Sequence, residues 1–372
     1  MVQHKRIIIV GAGPSGIGLG ILLEKLGFDS YVILEADVIG SSFLHWPAEM
    51  KLITSSFTGQ GFGALDLNAI TPGTSPAYSF RKEHLTGEEY SDYLNLLADH
   101  FHLNVEEEQA VLNVTKANGI FTLQTSQGTW TCDALIWATG EFHFPNTDGI
   151  KGAEYGLRNG FIDSYKELER GNRVVIGGGE SGMDAAYHLS QSGSQVTVLL
   201  EGRLKDFAAD PSRTISPYTF ERIQQAVGQG SVKFVENVKV TKIEQQGGQY
   251  EVYLRDGQVI STSLQPILAT GFHSGAKQME TFFEWKGNGK PQLSEEADES
   301  TLVNNLFVAG PSVEHDSAVF CFIYKFRARF AVIIKHLLTK WGEQIDDDVM
   351  SEYRDNQMLL EDLSCCEVDC EC

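Results

Sequence analysis

The chain has 372 residues and a formal net charge of -21, too long for one small core and too acidic to favour nucleic-acid phosphate or an anionic membrane as a partner. Its six cysteines make no disulfide framework: Cys132 and Cys321 stand alone in the body, and the other four fall in the last eight residues. The early apolar run Ile7–Val10 stops at Gly11 and is far shorter than a membrane span, so a cytoplasmic protein with no membrane insertion is expected.

In chain order, an apolar strand over Arg6–Val10 leads into GAGPSG at 11–16, then a helix-length stretch, a turn at Gly27, and a strand over Tyr31–Leu34 that ends on Glu35. Alternating strands follow at Gln109–Lys116, Gly119–Gln124 and Thr129–Cys132, before the segment LIWATGEF at 135–142. The opening pattern then returns. A strand over Arg173–Ile176 leads into GGGESG at 177–182, a helix-length stretch, Gly193, a strand over Gln195–Leu200 and Glu201. Residues 11–35 and 177–201 align without a gap at an offset of 166 and match at nine of twenty-five positions, among them Ser15/Ser181 and Glu35/Glu201. Strands at Ser231–Val238 and Gln249–Leu254 precede PILATGFH at 266–273, so Ala-Thr-Gly ends a strand twice. Leu306–Ala309, Gly310 and an amphipathic helix predicted over 317–340 close the body. Residues 343–372 carry eleven acids against the single base Arg354 and are expected to be a solvated tail.

Two β-turn-α-β units in one chain predict an α/β fold, one doubly wound parallel-sheet domain inserted in another. The glycines have separate steric duties. The first allows the tight turn, the second lets a pyrophosphate approach the backbone, and the third lets helix and strand pack closely. Free N–H groups at the helix start hold phosphate, and a carboxylate at the end of the next strand accepts from ribose hydroxyls. Both copies meet every one of these requirements.

GxGPSG, two Ala-Thr-Gly strands, GGGxSG and a late NLFVAG, in that order, resemble the two-dinucleotide-binding-domain flavoproteins over about residues 5–340. These FAD/NAD(P)-dependent oxidoreductases include thioredoxin-reductase-like enzymes and flavin-containing monooxygenases. GSSFLHWP at 40–47, TGEF at 139–142 and FCFIYKFRARFAVI at 320–333 are most similar to the monooxygenase-like flavoproteins associated with cation efflux. The resemblance implies two Rossmann-like three-layer domains: an FAD domain over 1–164 and 271–342, an inserted NAD(P) domain over 165–270, and a flexible acidic tail over 343–372. It implies that Gly11, Gly13, Pro14, Ser15 and Gly16 cradle the FAD pyrophosphate, and that Glu35 with Ala36 holds the adenosine ribose. Ser42, Phe43 and Trp46 are implied along the flavin, Val111 at the adenine, and Ala138, Thr139, Gly140 and Gly310 closing the site. Gly177, Gly179, Glu180, Ser181, Gly182 and Glu201, with Thr270 and Gly271, are implied to bind NADPH or NADH. Glu201 favours a free ribose hydroxyl while Arg203 suits a 2′-phosphate, and both choices stand. A homodimer is implied by the same resemblance.

The implied activity is electron transfer from NAD(P)H to FAD and on to an acceptor: a disulfide, a metal ion, a quinone or oxygen. Three departures bear on the acceptor. Pro311 stands where many relatives place an acid after the late Ala-Gly, Asp163 stands near where a monooxygenase histidine is sought, and no CxxC pair lies in the body. Two alternatives therefore remain, a monooxygenase acting on a small organic substrate and a metal-binding or redox-sensing flavoprotein. His315 is read either as a proton donor or substrate contact beside the flavin, or as a solvent-facing loop histidine. Cys365, Cys366, Cys370 and Cys372 form CCEVDCEC, read as a thiol shuttle (with Cys365 and Cys366 catalytic), as a soft-metal site using all four, or as an inert end.

Overall fold

Ile7, Ile8 and Ile9 have no solvent exposure, and an uninterrupted apolar run of this kind marks a strand covered on both faces. They belong to β1 (Val2–Val10). The computed structural model describes residues 2–59, 65–204, 214–316 and 318–363. Among these, residues 2–44, 55–141 and 273–363 form one compact unit, and residues 45–54 and 142–272 form a second.

In the first unit, β1 is followed by α1 (Pro14–Lys25), β2 (Tyr31–Leu34), α2 (Gly87–His100), β3 (Val105–Glu106), β4 (Val111–Ala117), β5 (Ile120–Thr125) and β6 (Thr129–Trp137). The strands lie in the order β3-β2-β1-β6-β5-β4, with β1 parallel to both β2 and β6. β6 is one continuous strand across Cys132 and Leu135, joining the two segments predicted at Thr129–Cys132 and from Leu135. α1 packs closely because it is rich in glycine: a methyl group on Gly20 would lie 2.8 Å from Ile33 Cδ1. The sequence reading passed over α2, although Thr86 and Glu89 form a reciprocal capping box at its start.

The second unit holds β7 (Leu157–Arg158), β8 (Asn172–Ile176), α3 (Glu180–Gln191), β9 (Gln195–Leu199), α4 (Pro217–Gly228), β10 (Val232–Val235), β11 (Val240–Gln246), β12 (Gln249–Leu254), β13 (Val259–Thr262) and β14 (Ile267–Leu268). A parallel sheet runs β10-β9-β8-β14-β7, and β11-β12-β13 make an antiparallel sheet. The period of two along β8 assigns its faces. Val175 packs with Met183, Ala186 and Ile223 of the helices, while Val174 and Ile176 pack with Ile243 and Val252 of the antiparallel sheet. The unit therefore has three layers.

The chain then completes the first unit with β15 (Leu306–Val308), which pairs parallel with β6, then β16 (Glu314–His315), β17 (Ala318–Val319), α5 (Phe330–Trp341) and α6 (Asp347–Asp355). The helix predicted over 317–340 is corrected. Residues 318–319 are strand, so the helical run begins only at Ile323, with a four-residue α-helix at Ile323–Phe326 and a 3₁₀ turn at Arg327–Arg329 leading directly into α5. The 3₁₀ turn sends two arginines inward, which residues two apart on a regular helix do not do. Arg327 Nη1 donates to the carbonyls of Asp66 and Ala69 at 2.5 and 2.6 Å, and burial pushes its guanidinium down to about 10. Arg329 donates to Asp298, Glu295 and Leu360.

The expectation of a solvated tail from residue 343 is also corrected as far as residue 363. Met350, Tyr353, Met358 and Leu363 are buried, Lys25 pairs with Glu352 at 2.7 Å, and the Leu360 N–H donates to the Ala328 carbonyl at 3.0 Å. The acid count concealed these four apolar anchors. No helix among the described residues is long and apolar enough to cross a membrane.

Candidate dinucleotide-binding sites

The strand-to-helix turn of the first unit separates its glycines by duty. Gly11 has φ +107° and faces the Ala138 carbonyl, where a methyl group would sit 2.6 Å from the oxygen. A methyl on Gly16 would collide with the Gly11 carbonyl, so this glycine is required for helix against strand. Gly13 is different. It caps α1 in extended backbone, and a methyl there would meet no atom within 4 Å. That open face lies in front of the first helical turn, after Pro14 at its start, where backbone N–H groups lack intrahelical partners. Ser15 is buried, and Gly310, at φ +115°, comes so near that its methyl would be 3.1 Å from Ser15 Oγ. Thr139 Oγ1 is buried with no hydrogen-bond partner, and an orphaned polar atom beside an open cradle is a place for ligand. Ala138 continues β6 and Gly140 has φ +66°. These residues fit a bound pyrophosphate and the sugar chain beside it.

Glu35 is 8% exposed. One of its carboxylate oxygens accepts from the Ala12 N–H at 2.7 Å, and the other accepts from the Asp37 N–H at 3.0 Å and Ser41 Oγ at 3.3 Å. Burial pushes this carboxyl above its ordinary range. Ala36 beside it is exposed. Glu35→Gln is expected to set an amide N–H against a backbone N–H, costing roughly 1–3 kcal/mol in thermal unfolding and weakening FAD retention.

The second unit repeats the turn in detail. α3 has the same twelve-residue length as α1, Gly177 has φ +116° and faces the Ala269 carbonyl, Gly182 is jammed against the Gly177 carbonyl, and Gly179 is open. Ser181, Thr270 and Gly271 line one cleft with Arg158, Asn159 and Phe272, and Thr270 Oγ1 donates to the Asn146 carbonyl. Two residues depart from the repeat. Glu201, the counterpart of Glu35, is 67% exposed and pairs with Lys239 at 2.6 Å. Glu180 accepts from Ser216, the residue that caps α4, through both the N–H and the hydroxyl. Arg203 is exposed, and the next N–H, of Leu204, donates to Glu236 at 2.9 Å.

The remaining predicted residues scatter. Ser42 and Phe43 lie on a short helix of the first unit, with Phe43 4.8 Å from the Tyr90 ring, whereas Trp46 belongs to the second unit. Val111 begins β4. His315 is not solvent-facing. Its Nε2 lies 2.6 Å from Asp298, which also accepts from Arg329 at 2.9 and 3.0 Å. Cys132 is buried in β6, where burial pushes its thiol up, and Cys321 is half-buried. Cys365, Cys366, Cys370 and Cys372 lie outside the described residues, among which no group of three His, Cys, Asp or Glu side chains is placed to hold a metal ion. Glu141 stands inside the quoted TGEF segment without a role assigned to it, and Lys290 and Asp298 are isolated charges with no motif to announce them.

Residues 8–310 match the family model of the pyridine nucleotide-disulphide oxidoreductases, and the chain belongs to that family. It is an oxidoreductase in which NAD(P)H reduces FAD and the reduced flavin hands its electrons to an acceptor. Bacilliredoxin reductase Bdr of Bacillus subtilis (strain 168) is 29% identical over 316 residues, which cover 83% of this chain and 90% of that protein. Oxidoreductase CzcO of the same strain is 26% identical over 196 residues, about half of each chain at 50% and 51%. The solved structure of a flavin-containing monooxygenase from Stenotrophomonas maltophilia shares the fold, with a TM-score of 0.71 at 19% identity, covering 91% of this chain and 99% of that one.

Proposed function

We propose that the electron acceptor is a disulfide, so that NAD(P)H, one proton and R–S–S–R yield NAD(P)⁺ and two R–SH. The observation that supports this most is the likeness to Bdr, which runs through both units rather than one. Bound FAD supplies the two-electron relay between nicotinamide and sulfur. In this reading the residues around Gly13, with Glu35 and Thr139, hold the FAD. The residues around Gly179, with Thr270 and Gly271, hold the nicotinamide dinucleotide. Lys239 offsets the charge of Glu201, so a 2′-phosphate and a 2′-hydroxyl are both admitted at that strand end.

Neither thiol in the described body makes a CxxC pair, and a buried Cys132 held protonated is a poor nucleophile. Thiol exchange is therefore assigned to the acceptor itself or to Cys365 and Cys366. The test is anaerobic stopped-flow absorbance of the flavin band near ~450 nm, with NADPH and then NADH, followed by cystine or glutathione disulfide as oxidant. Fast bleaching and recovery on adding disulfide are expected, and a chain ending at Leu363 shows whether the terminal thiols take part. Bleaching that only oxygen reverses, with NAD(P)H use stimulated by a small organic substrate, moves the assignment to the monooxygenase alternative. No bleaching in FAD-loaded protein rejects both.

A further inference from the structure

The loop after Gly310 is held more firmly than its sequence suggests, and the grip comes from two places. A hairpin over 284–292 reaches it from one side, closed by a bridge between Trp285 and Pro291 and by the Lys286 N–H on the Lys290 carbonyl at 2.9 Å. Lys290 Nζ donates to the Pro311 carbonyl at 2.7 Å, and Lys286 Nζ donates to the Glu314 carbonyl at 2.6 Å. Asn288 adds a bond to the Glu314 carboxylate at 2.9 Å. From the other side, Glu141 Oε1 accepts from Ser312 Oγ at 3.1 Å and lies 3.6 Å from Lys290 Nζ. The Lys290 and Glu141 side chains are only 21% and 23% exposed. Glu141 directly follows Thr139 and Gly140, so its bond from Ser312 and its ion pair with Lys290 tie the segment after β6 to the loop that Gly310 opens.

Those two segments are the ones assigned above to the FAD site. Position 311 is a proline that has neither a carboxylate nor an N–H to offer. We propose that Glu141, Lys290 and Ser312 form a positioning cluster for FAD, in which a carboxylate from the segment after β6 and an ammonium from the hairpin set the 310–312 backbone. Lys290 fixes the Pro311 carbonyl, Glu141 fixes both Lys290 and Ser312, and the loop keeps one geometry against the Ser15 side of the cradle. A partly buried pair with two supporting hydrogen bonds holds geometry better than an exposed one, because neither side chain readily exchanges its partner for water. The inference rests on the FAD reading of this unit and is independent of what accepts the electrons.

The experiment measures FAD binding to deflavinated protein by flavin fluorescence, together with the visible circular dichroism of the bound flavin. Lys290→Met and Glu141→Gln are each expected to weaken FAD at least tenfold and to change the flavin dichroism. Lys290→Arg is expected to restore both. The double variant is expected to lose little more than either single one, as partners in one cluster do. Wild-type affinity and dichroism in both single variants overturn the proposal. So does a loss that Lys290→Arg fails to rescue and that tracks a fall in apoprotein melting temperature, since that marks a merely structural contact. If Lys290→Met does not fold, Glu141→Gln and Ser312→Ala carry the same comparison. Wild-type protein that binds FAD and accepts electrons from NAD(P)H but does not reduce disulfides rejects the proposed acceptor and leaves this inference standing.

Discussion

Gly179→Val is expected to leave FAD bound and the fold intact while slowing flavin reduction by NAD(P)H at least about a hundredfold. The side chain has room, because a carbon added at Gly179 meets no protein atom within 4 Å and the backbone there is extended at φ -84°. What it fills is the approach of a phosphate to the start of α3. Gly182→Ala supplies the contrast, since its methyl is driven into the Gly177 carbonyl and the turn itself must open. Two readings of the same protein separate the effects: flavin absorbance per chain reports the first unit, and the stopped-flow bleaching rate reports the second. Wild-type reduction by Gly179→Val would remove the second cradle from the mechanism.

Arg329→Met is expected to cost roughly 3–5 kcal/mol in denaturant unfolding, the loss found when one partner of a buried ion pair is removed. Asp298 is fully buried and Arg329 is 1% exposed, so the carboxylate keeps only His315 Nε2 at 2.6 Å and has no water to turn to. Arg329 also donates to the Leu360 carbonyl at 2.7 Å. The segment carrying Met358 and Leu363 should therefore loosen as well, and limited proteolysis should cut between α6 and residue 363 sooner than in the wild type. A cost below about 1 kcal/mol would place this cluster with ordinary surface pairs.

The repeat at 11–35 and 177–201 made the two cradles legible, because their demands are local. A tight turn, a close approach and a helix start each call for glycine at one spacing, and the two copies agree in helix length and in the positive φ of Gly11 and Gly177. Burial was not legible. Glu35 and Glu201 occupy the same place in the repeat, yet one is enclosed by backbone donors and the other is turned out to Lys239, and only neighbours distant in sequence decide that. The same reason hid β11 and β13, whose mixed polar faces gain meaning only against Val174 and Ile176. It also hid the ordered course of residues 343–363, where Tyr353 and Met358 act singly among many acids.

On the edge away from β1, β6 has two neighbours of opposite kind, antiparallel β5 along Thr129–Cys132 and parallel β15 along Leu135–Trp137. Their distances along the chain differ greatly, since Phe121 meets Cys132 while Phe307 meets Ile136. During synthesis from the N-terminus, the first half of β6 can pair at once, but the second half keeps an open edge until the whole second unit has emerged. Gly310, immediately after β15, arrives with that last strand. The first dinucleotide cradle to be translated is thus the last to be finished, and the second unit has the chance to fold while its host still waits for a strand.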